Sequence, residues 1–300
     1  SIEDKGKGFL ATKIPKLIAF FNLIFGEMNE EEKGILEEKI IYVYKKKGIT
    51  FDDNTLYKKE KNKNKTKLIF KRSKDMPILE DLFNLLEKEN ITKKFKIKLI
   101  PFVKGSLKFF NQYTNIEIEN KLIVADVYDL GEENLKYGMF LFTELFWDKI
   151  KKNRALKKAI YLDEIWRLIG VTSNKNVASF VYKIFKTIRK YGGSAVAITQ
   201  DVGDLFSLEG GSYGKSIINN SSNKVFFSLE EDNINTLEAF TKLSTKEKIE
   251  IKSLKKGECL IFSGDNHILT KIESSELENM IVGGGENEKN NYSLRKSSIK

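Results

Sequence analysis

From residue 120 onward, short apolar segments alternate with longer amphipathic ones, and this alternation constrains the fold more than any other feature of the sequence. A short apolar segment between two helical segments predicts a buried strand of a parallel sheet. The pattern predicts helices at 132–152 and 177–191 and strands at 122–127, 158–162, 194–200 and 224–229. We therefore predict an α/β fold in which a mostly parallel, doubly wound sheet is covered by helices on both faces.

Residues 13–112 differ from this core because their apolar residues follow helical spacing. Helices are predicted at 13–25, from Asn29 to residue 47, from Pro77 onward, and at 91–102. The lysine-rich segment 58–75 has no periodicity, and we predict a solvated loop there. Contact with nucleic acid is the alternative for this basic segment, which also contains Phe70. Apart from that loop, we expect an all-α subdomain.

These changes in character set the predicted domain boundaries. We predict an N-terminal piece of the α/β core at 1–12, the all-α subdomain at 13–112, the core at 113–283 and a tail at 284–300. Within the core, residues 257–270 are predicted to form a hairpin that turns at Gly264, Asp265 and Asn266. The tail is rich in Gly, Asn and Ser, and we expect it to be disordered.

Composition excludes several kinds of site. With Cys259 as its one cysteine and His267 as its one histidine, the chain has no internal disulfide and no zinc site of several Cys or His ligands. The formal charge of +10 favours polyanions or an anionic membrane face, although the lysines are spread along the chain as on a solvated surface. The longest apolar stretch, residues 17–25, is too short to span a bilayer.

Two adjacent carboxylates follow the predicted strand at 158–162. Asp163 and Glu164 are placed at the carboxyl end of this strand, where open α/β sheets bind ligands. In this pattern, called Walker B, the first acid holds the water shell of a phosphate-bound Mg²⁺ and the second polarises the attacking water. The alternative is the start of a helix, with Asp163 as its cap and Glu164 in its first turn.

A polar residue ends the next predicted strand. Neighbouring strands of a parallel sheet lie about 5 Å apart, so Gln200 is predicted to reach the water or γ-phosphate that Glu164 contacts and to act as a sensor. Before this strand, a predicted helix ends in Arg189 and Lys190. These two residues could serve a neighbouring subunit's nucleotide as an arginine finger, or they could simply complement the helix dipole.

Several segments together resemble the ATPase domain of the conjugation and type IV secretion motors of the HerA–FtsK type. They are DEIWRL at 163–168, RKYGG at 189–193, AVAITQ at 195–200, NNSSNKVFFSL at 219–229 and KGECLIFSG at 256–264. The similarity extends over nearly all of residues 8–275. It implies a RecA-like P-loop NTPase core that uses ATP and Mg²⁺. It also implies a hexamer on the cytoplasmic face of the cell membrane, with other channel components at the inner membrane as partners.

Family members begin this domain with a strand, a phosphate-binding loop of the form G-x-x-x-x-G-K-[ST] and a helix, and this sequence starts after them. The resemblance therefore implies a fragment that is inactive alone, because amides and a lysine must hold the phosphates. Residues 210–216 end in Gly-Lys-Ser, but Glu209 occupies the first glycine position, so we interpret them as a flexible loop. The alternatives are a non-catalytic scaffold component and a DNA-translocating pump.

Overall fold

The structure, a computed structural model, describes residues 8–62, 65–86, 90–115, 120–170, 173–200 and 202–282. The chain divides into two compact units, Ser1–Asn220 and Ser221–Lys300. The predicted tail at 284–300 lies outside the described residues, as does most of the predicted N-terminal piece at 1–12. Among the described helices, none combines the length and the apolar composition that a bilayer-spanning helix needs.

The first unit is mostly helical. Its helices are α1 (Phe9–Phe25), α2 (Glu30–Lys46), α3 (Leu79–Leu85), α4 (Asn90–Val103), α5 (Leu135–Lys152), α6 (Trp166–Ile169), α7 (Lys175–Thr187), α8 (Val202–Leu205) and α9 (Ser212–Asn220). At the start of α2, Asn29 Oδ1 accepts a hydrogen bond from the Glu32 N–H at 2.8 Å, and the Asn29 N–H donates to Glu32 Oε2 at 3.0 Å. This reciprocal capping explains why the second helix begins where the sequence predicts it.

A β-hairpin interrupts the helices of residues 13–112. Strands β1 (Tyr57–Asn62) and β2 (Lys65–Phe70) pair antiparallel, from Tyr57 opposite Phe70 to Asn62 opposite Lys65. The rings of Tyr57 and Phe70 meet edge to face, with centroids 5.4 Å apart. The prediction of a loop at 58–75 is therefore wrong, and residues 13–112 are not all-α. Lysines on both faces of the hairpin removed the alternation that normally reveals a strand.

The first unit also contains a parallel strand pair, β3 (Lys158–Leu162) and β4 (Gly193–Ala197). In their register Lys158 lies opposite Gly193 and Leu162 opposite Ala197. The strand predicted at 158–162 is confirmed, and the next one is confirmed but ends three residues early. A Cβ on Gly192, which has φ 71°, would lie 2.4 Å from the Arg154 carbonyl oxygen, so a glycine is required where the chain enters β4.

The strand predicted at 122–127 is not formed. This segment has no regular structure, and Leu122 and Val124 are each 82% exposed. Within the described residues, no strand pairs with it. Apolar composition favours a strand only where a neighbouring strand satisfies the backbone N–H and C=O groups. In the part of the chain that the structure describes, the segment has no such neighbour, and this explains why the prediction is wrong.

The second unit contains a three-stranded antiparallel sheet and three helices within the described residues. Its elements are β5 (Asn223–Phe226), α10 (Glu231–Glu238), α11 (Thr245–Ser253), β6 (Glu258–Ser263), β7 (Asn266–Lys271) and α12 (Glu276–Val282). The strand order is β5-β6-β7, and Gly264 and Asp265 form the turn between β6 and β7, which confirms the predicted hairpin. The strand predicted at 224–229 exists, but it pairs antiparallel with β6 rather than in a parallel sheet.

The segment 210–216 is not the flexible loop that we predicted. Helix α9 begins at Ser212, directly after a short 3-10 helix, Leu208–Gly211. Among the described residues, the elements before it are α8 and this 3-10 helix, and no strand leads into it. Its Gly-Lys-Ser end therefore lies within a helix, and the segment does not have the strand-loop-helix arrangement of a phosphate-binding loop.

Candidate functional site

Asp163 and Glu164 lie in the turn that connects β3 to α6. Asp163 is exposed and Glu164 is half-buried. The Glu164 N–H donates a hydrogen bond to Asp163 Oδ1 at 3.0 Å. The residue that precedes α6 is Ile165, with no side-chain cap, so Asp163 is not the N-cap of a helix. We call Asp163 and Glu164 the rim acid pair, because they lie at the rim formed by the carboxyl ends of β3 and β4.

Hydrogen bonds beyond the two strands bring the end of β4 to the same rim. The Ile198 N–H donates to the Leu162 carbonyl at 2.9 Å, and the Ile165 N–H donates to the Ile198 carbonyl at 3.1 Å. Gln200 follows two residues later and is exposed. The structure therefore brings Gln200 to the same edge of the sheet as the rim acid pair, as the sequence analysis expected.

Arg189 and Lys190 are placed elsewhere. Both are exposed on a short 3-10 helix, Ile188–Tyr191, which leads into the amino end of β4. Because β3 and β4 run parallel, this end of β4 lies at the edge opposite the rim acid pair. A strand of five residues separates the two edges by about 16 Å. One chain therefore does not bring its own Arg189 and Lys190 to its acidic pair.

The backbone and side chain of Glu164 are held in an unusual way. Its φ is 50°, and Glu209 is the one other described non-glycine residue with a positive φ. The Glu164 carboxylate accepts a hydrogen bond from the indole Nε1 of Trp166. The Arg167 guanidinium lies 4.5 Å from the centroid of the Trp166 ring and forms an ion pair with Glu132 at 3.1 Å. A left-handed backbone at a non-glycine residue costs about 1–3 kcal/mol and is concentrated at functional sites.

A second pair of carboxylates, Glu144 and Asp148, lies on α5, and each residue is 5% exposed. We call it the buried acid pair. Lys13 lies 2.8 Å from Glu144, while Lys16 and Lys151 lie 2.6 Å and 2.8 Å from Asp148. These ammonium groups neutralise the buried acids. In the described parts of the chain, no cluster of three or more His, Cys, Asp or Glu side chains could hold a metal ion by itself.

Comparison with known proteins identifies the family. The family model of the TraG P-loop domain matches residues 49–271. The chain belongs to the TraG P-loop domain family. This membership confirms the predicted relation to the ATPase domains of conjugation and type IV secretion motors.

Individual relatives agree with this family. Protein TraC of Escherichia coli (strain K12) is 36% identical over 124 residues, which cover 39% of this chain and 14% of TraC. The structure of VirB4 of Thermoanaerobacter pseudethanolicus matches with a TM-score of 0.79 and 25% identity, covering 91% of this chain and 72% of VirB4. The structure of the plasmid coupling protein TrwB in complex with the non-hydrolysable GTP analogue GDPNP matches with a TM-score of 0.54 and 11% identity. The match covers 92% of this chain and 73% of TrwB. The similarity to TrwB supports only the assignment of the P-loop ATPase fold.

P-loop ATPases bind nucleotide together with Mg²⁺, and the rim of this TraG-family domain has suitable chemistry for the ion. Mg²⁺ prefers oxygen ligands and usually binds through one or two carboxylates, waters and substrate phosphates. Asp163 presents an exposed carboxylate there, and exposed Gln200 follows the end of β4 at the same edge of the sheet. This set fits a Mg²⁺ ion that is held mainly by phosphates and by water.

The sequence analysis did not identify Trp166 and Arg167 as part of this site. The indole hydrogen bond depends on the left-handed turn at Glu164, and propensity does not predict such a backbone for glutamate. The one sequence signal is the spacing itself, a tryptophan two residues after the acid.

Proposed function

We propose that the rim acid pair and Gln200 form the magnesium-and-water side of the ATP site in a conjugation or type IV secretion motor. Asp163, at the Walker B position, binds the water shell of Mg²⁺, Glu164 polarises the attacking water, and Gln200 senses the γ-phosphate. The observation that carries this proposal is the position of exposed Asp163 and half-buried Glu164 at the carboxyl end of β3, beside the polar end of β4. Ligand sites of open α/β sheets lie at this edge.

Hydrolysis also requires a phosphate-binding loop. The 300 residues contain no G-x-x-x-x-G-K-[ST] sequence, so we propose that such a loop is supplied from outside them. We expect these 300 residues alone not to hydrolyse ATP, and we expect activity when a suitable loop and its strand are joined to them. In that active protein, Asp163→Asn should remove most Mg²⁺-dependent hydrolysis, while the exposed control Asp265→Asn should not. Equal activity of the two variants would contradict the proposal.

The motor is proposed to act as a hexamer with other channel components, at the cytoplasmic face of the cell membrane, where it drives channel assembly or substrate transfer. The position of Arg189 supports an assembly of subunits. Since Arg189 and Lys190 lie at the edge opposite their own rim acid pair, they would serve as arginine fingers only for a neighbouring subunit's nucleotide. The alternative role, complementing a helix dipole, requires no neighbour.

One observation favours a DNA-translocating function as the second candidate. Residues 57–75 contain nine Lys or Arg and two Asp or Glu, a net charge of +7 out of +10 for the whole chain. Within this hairpin region, Lys59, Lys67, Arg72 and Lys74 are exposed. Such a basic ribbon suits the phosphates of DNA. DNA binding that weakens steeply with salt, and less steeply after Lys59→Ala and Lys67→Ala, would support this candidate, and absence of binding at low salt would reject it.

A scaffold component that kept the fold without the chemistry is a further alternative. The rim acid pair distinguishes the motor from the scaffold component, because a scaffold has no need of an uncompensated acidic pair. If the loop-containing protein binds Mg-ATP but its hydrolysis is no faster than that of Asp163→Asn, the scaffold interpretation replaces the motor.

A further inference from the structure

The side chain of Trp166 holds the proposed water-polarising carboxylate. Its indole Nε1 donates a hydrogen bond to Oε2 of Glu164. Among the described residues, this is the one hydrogen bond made to the Glu164 side chain. One carboxylate oxygen is thus anchored to the indole, and the other is left to accept a hydrogen bond from water.

The backbone fixes the tryptophan that provides this bond. Trp166 is the first residue of α6, and its carbonyl accepts a hydrogen bond from the Gly170 N–H at 2.6 Å. A Cβ on Gly170 would lie 2.6 Å from that same carbonyl oxygen, so only glycine allows this close turn. The Glu164 carbonyl in turn accepts the Arg167 N–H at 3.0 Å. The two side chains are therefore presented from one tightly hydrogen-bonded segment.

Arg167 fixes the indole ring from its face. The guanidinium carbon lies 4.5 Å from the ring centroid, within the range of a cation–π interaction. The same guanidinium contacts Glu132 at 3.1 Å, and the Arg167 side chain is 18% exposed. A continuous series of contacts therefore runs from Glu132 through Arg167 and Trp166 to the Glu164 carboxylate.

We propose that Trp166 is a positioning residue for Glu164. This proposal rests on the proposed function, in which Glu164 polarises the attacking water. The charge-assisted indole bond fixes the anchored oxygen, and this sets the direction in which the other oxygen faces the water. Because displacement of a catalytic group by about 1 Å can cost on the order of a hundredfold in rate, such an anchor affects turnover more than substrate binding.

The contact itself is testable in the 300-residue chain. The chain has two tryptophans, Trp147 and Trp166, so two indole N–H signals are expected in a ¹⁵N–¹H spectrum. Trp147→Phe assigns the signals, because the signal of Trp147 is lost and that of Trp166 remains. We expect Glu164→Gln to shift the Trp166 signal and to leave that of Trp147, which packs against Tyr191 at 5.3 Å, in place. An unshifted Trp166 signal would overturn the proposal.

The positioning role is testable in the protein that carries a phosphate-binding loop and hydrolyses ATP. Trp166→Phe keeps an aromatic ring beside Arg167 and removes the N–H donor. We expect its kcat to fall on the order of tenfold or more with KM for ATP unchanged. The matched control, Trp147→Phe, should keep kcat. In a Glu164→Gln background, Trp166→Phe should cause no further loss, because its effect acts through the glutamate.

The outcomes separate the two proposals. If Glu164→Gln hydrolyses ATP at the wild-type rate, the proposed function fails. If Glu164→Gln is inactive but Trp166→Phe retains the wild-type kcat, the proposed function stands and the positioning role of Trp166 is wrong. If Trp166→Phe does not fold, the response of the Trp166 indole signal to Glu164→Gln decides whether the anchor exists.

Discussion

The two acid pairs of the first unit are in opposite environments. The buried acid pair is 5% exposed at each residue and is neutralised by three lysines. The rim acid pair is more exposed, and among the described residues it forms no ion pair with a lysine or arginine. Compensated charges hold helices together but leave nothing for a ligand. Uncompensated carboxylates at a sheet edge keep their charge for a cation, and this difference separates a structural pair from a candidate functional pair.

The lysines change the titration of the buried acid pair. Burial by itself raises the pKa of Glu144, but the ammonium groups of Lys13 and Lys16 more than offset it and lower that pKa. Burial likewise raises the pKa of Asp148, and Lys151 and Lys16 more than offset it. Both acids are therefore ionised at neutral pH, and they connect α1 to α5 through charges that only the folded chain brings together.

The largest expected effect concerns the rim acid pair. In the ATP-hydrolysing protein, Glu164→Gln should lower kcat on the order of a thousandfold, because the amide cannot accept the proton of the attacking water. Its unfolding free energy should change little. Phosphate release measures the rate, and the control Glu37→Gln replaces an exposed glutamate of α2. Hydrolysis by Glu164→Gln within twofold of the wild type would remove the functional distinction between the two acid pairs.

The buried acid pair should show the reverse behaviour. Glu144→Gln leaves Lys13, whose side chain is 20% exposed, without its 2.8 Å partner. We expect the unfolding free energy to fall by about 3 kcal/mol, because a charge is left uncompensated in a largely dry environment. Urea denaturation measures this loss, with Glu37→Gln as the control. A loss below about 0.5 kcal/mol would show that the buried acid pair is no more structural than a surface pair.

Acid should weaken the wild-type fold through the same pair. The pKa values of Glu144 and Asp148 are lowered from ordinary values of 4.5 and 3.8 in the folded state. Their stabilising contribution is therefore complete above those ordinary values and is lost as the pH falls through the lower folded pKa values. Urea midpoints measured at decreasing pH should fall less steeply in Glu144→Gln than in the wild type. Parallel curves would contradict the linkage. We expect a smaller effect than that of the substitution, because the lowered pKa values keep part of the pair ionised over most of the acidic range.

The rim was predictable from sequence because its signals are local. An apolar run that ends in Asp163 and Glu164 identifies a strand and its carboxyl edge, and the next apolar run leads to Gln200 at the same edge of the sheet. The mixed α/β class followed from the same alternation and is confirmed. The prediction of a strand at 122–127 failed, because a strand forms only beside a partner strand, and the residues of the segment do not specify that partner.

Other features depend on contacts between distant or unusual positions. The ion pair of Lys13 with Glu144 joins residues 131 positions apart. Considered alone, a charged residue at either position is typical of an exposed surface. The hairpin at 57–70 was missed because lysines occupy both of its faces. The bond from Trp166 to Glu164 depends on a positive φ that residue propensities do not indicate. The sequence pattern therefore predicts the secondary-structure elements and the ends of strands. The pairing of distant residues and the strain of the backbone are seen only in the folded chain.

The smallest expected effect compares the backbones of the two acid pairs. Glu164 has φ 50°, a conformation that glycine adopts freely and alanine does not, so Glu164→Gly should be about 1 kcal/mol more stable than Glu164→Ala. Glu144 lies inside α5, where the order reverses, and Glu144→Gly should be about 1 kcal/mol less stable than Glu144→Ala. Comparing glycine with alanine at one position cancels the loss of the carboxylate, so each difference reports the backbone alone. The same sign at both positions, measured by urea denaturation, would mean that Glu164 is not held in a left-handed turn, and the anchor from Trp166 would then lack the geometry on which it depends.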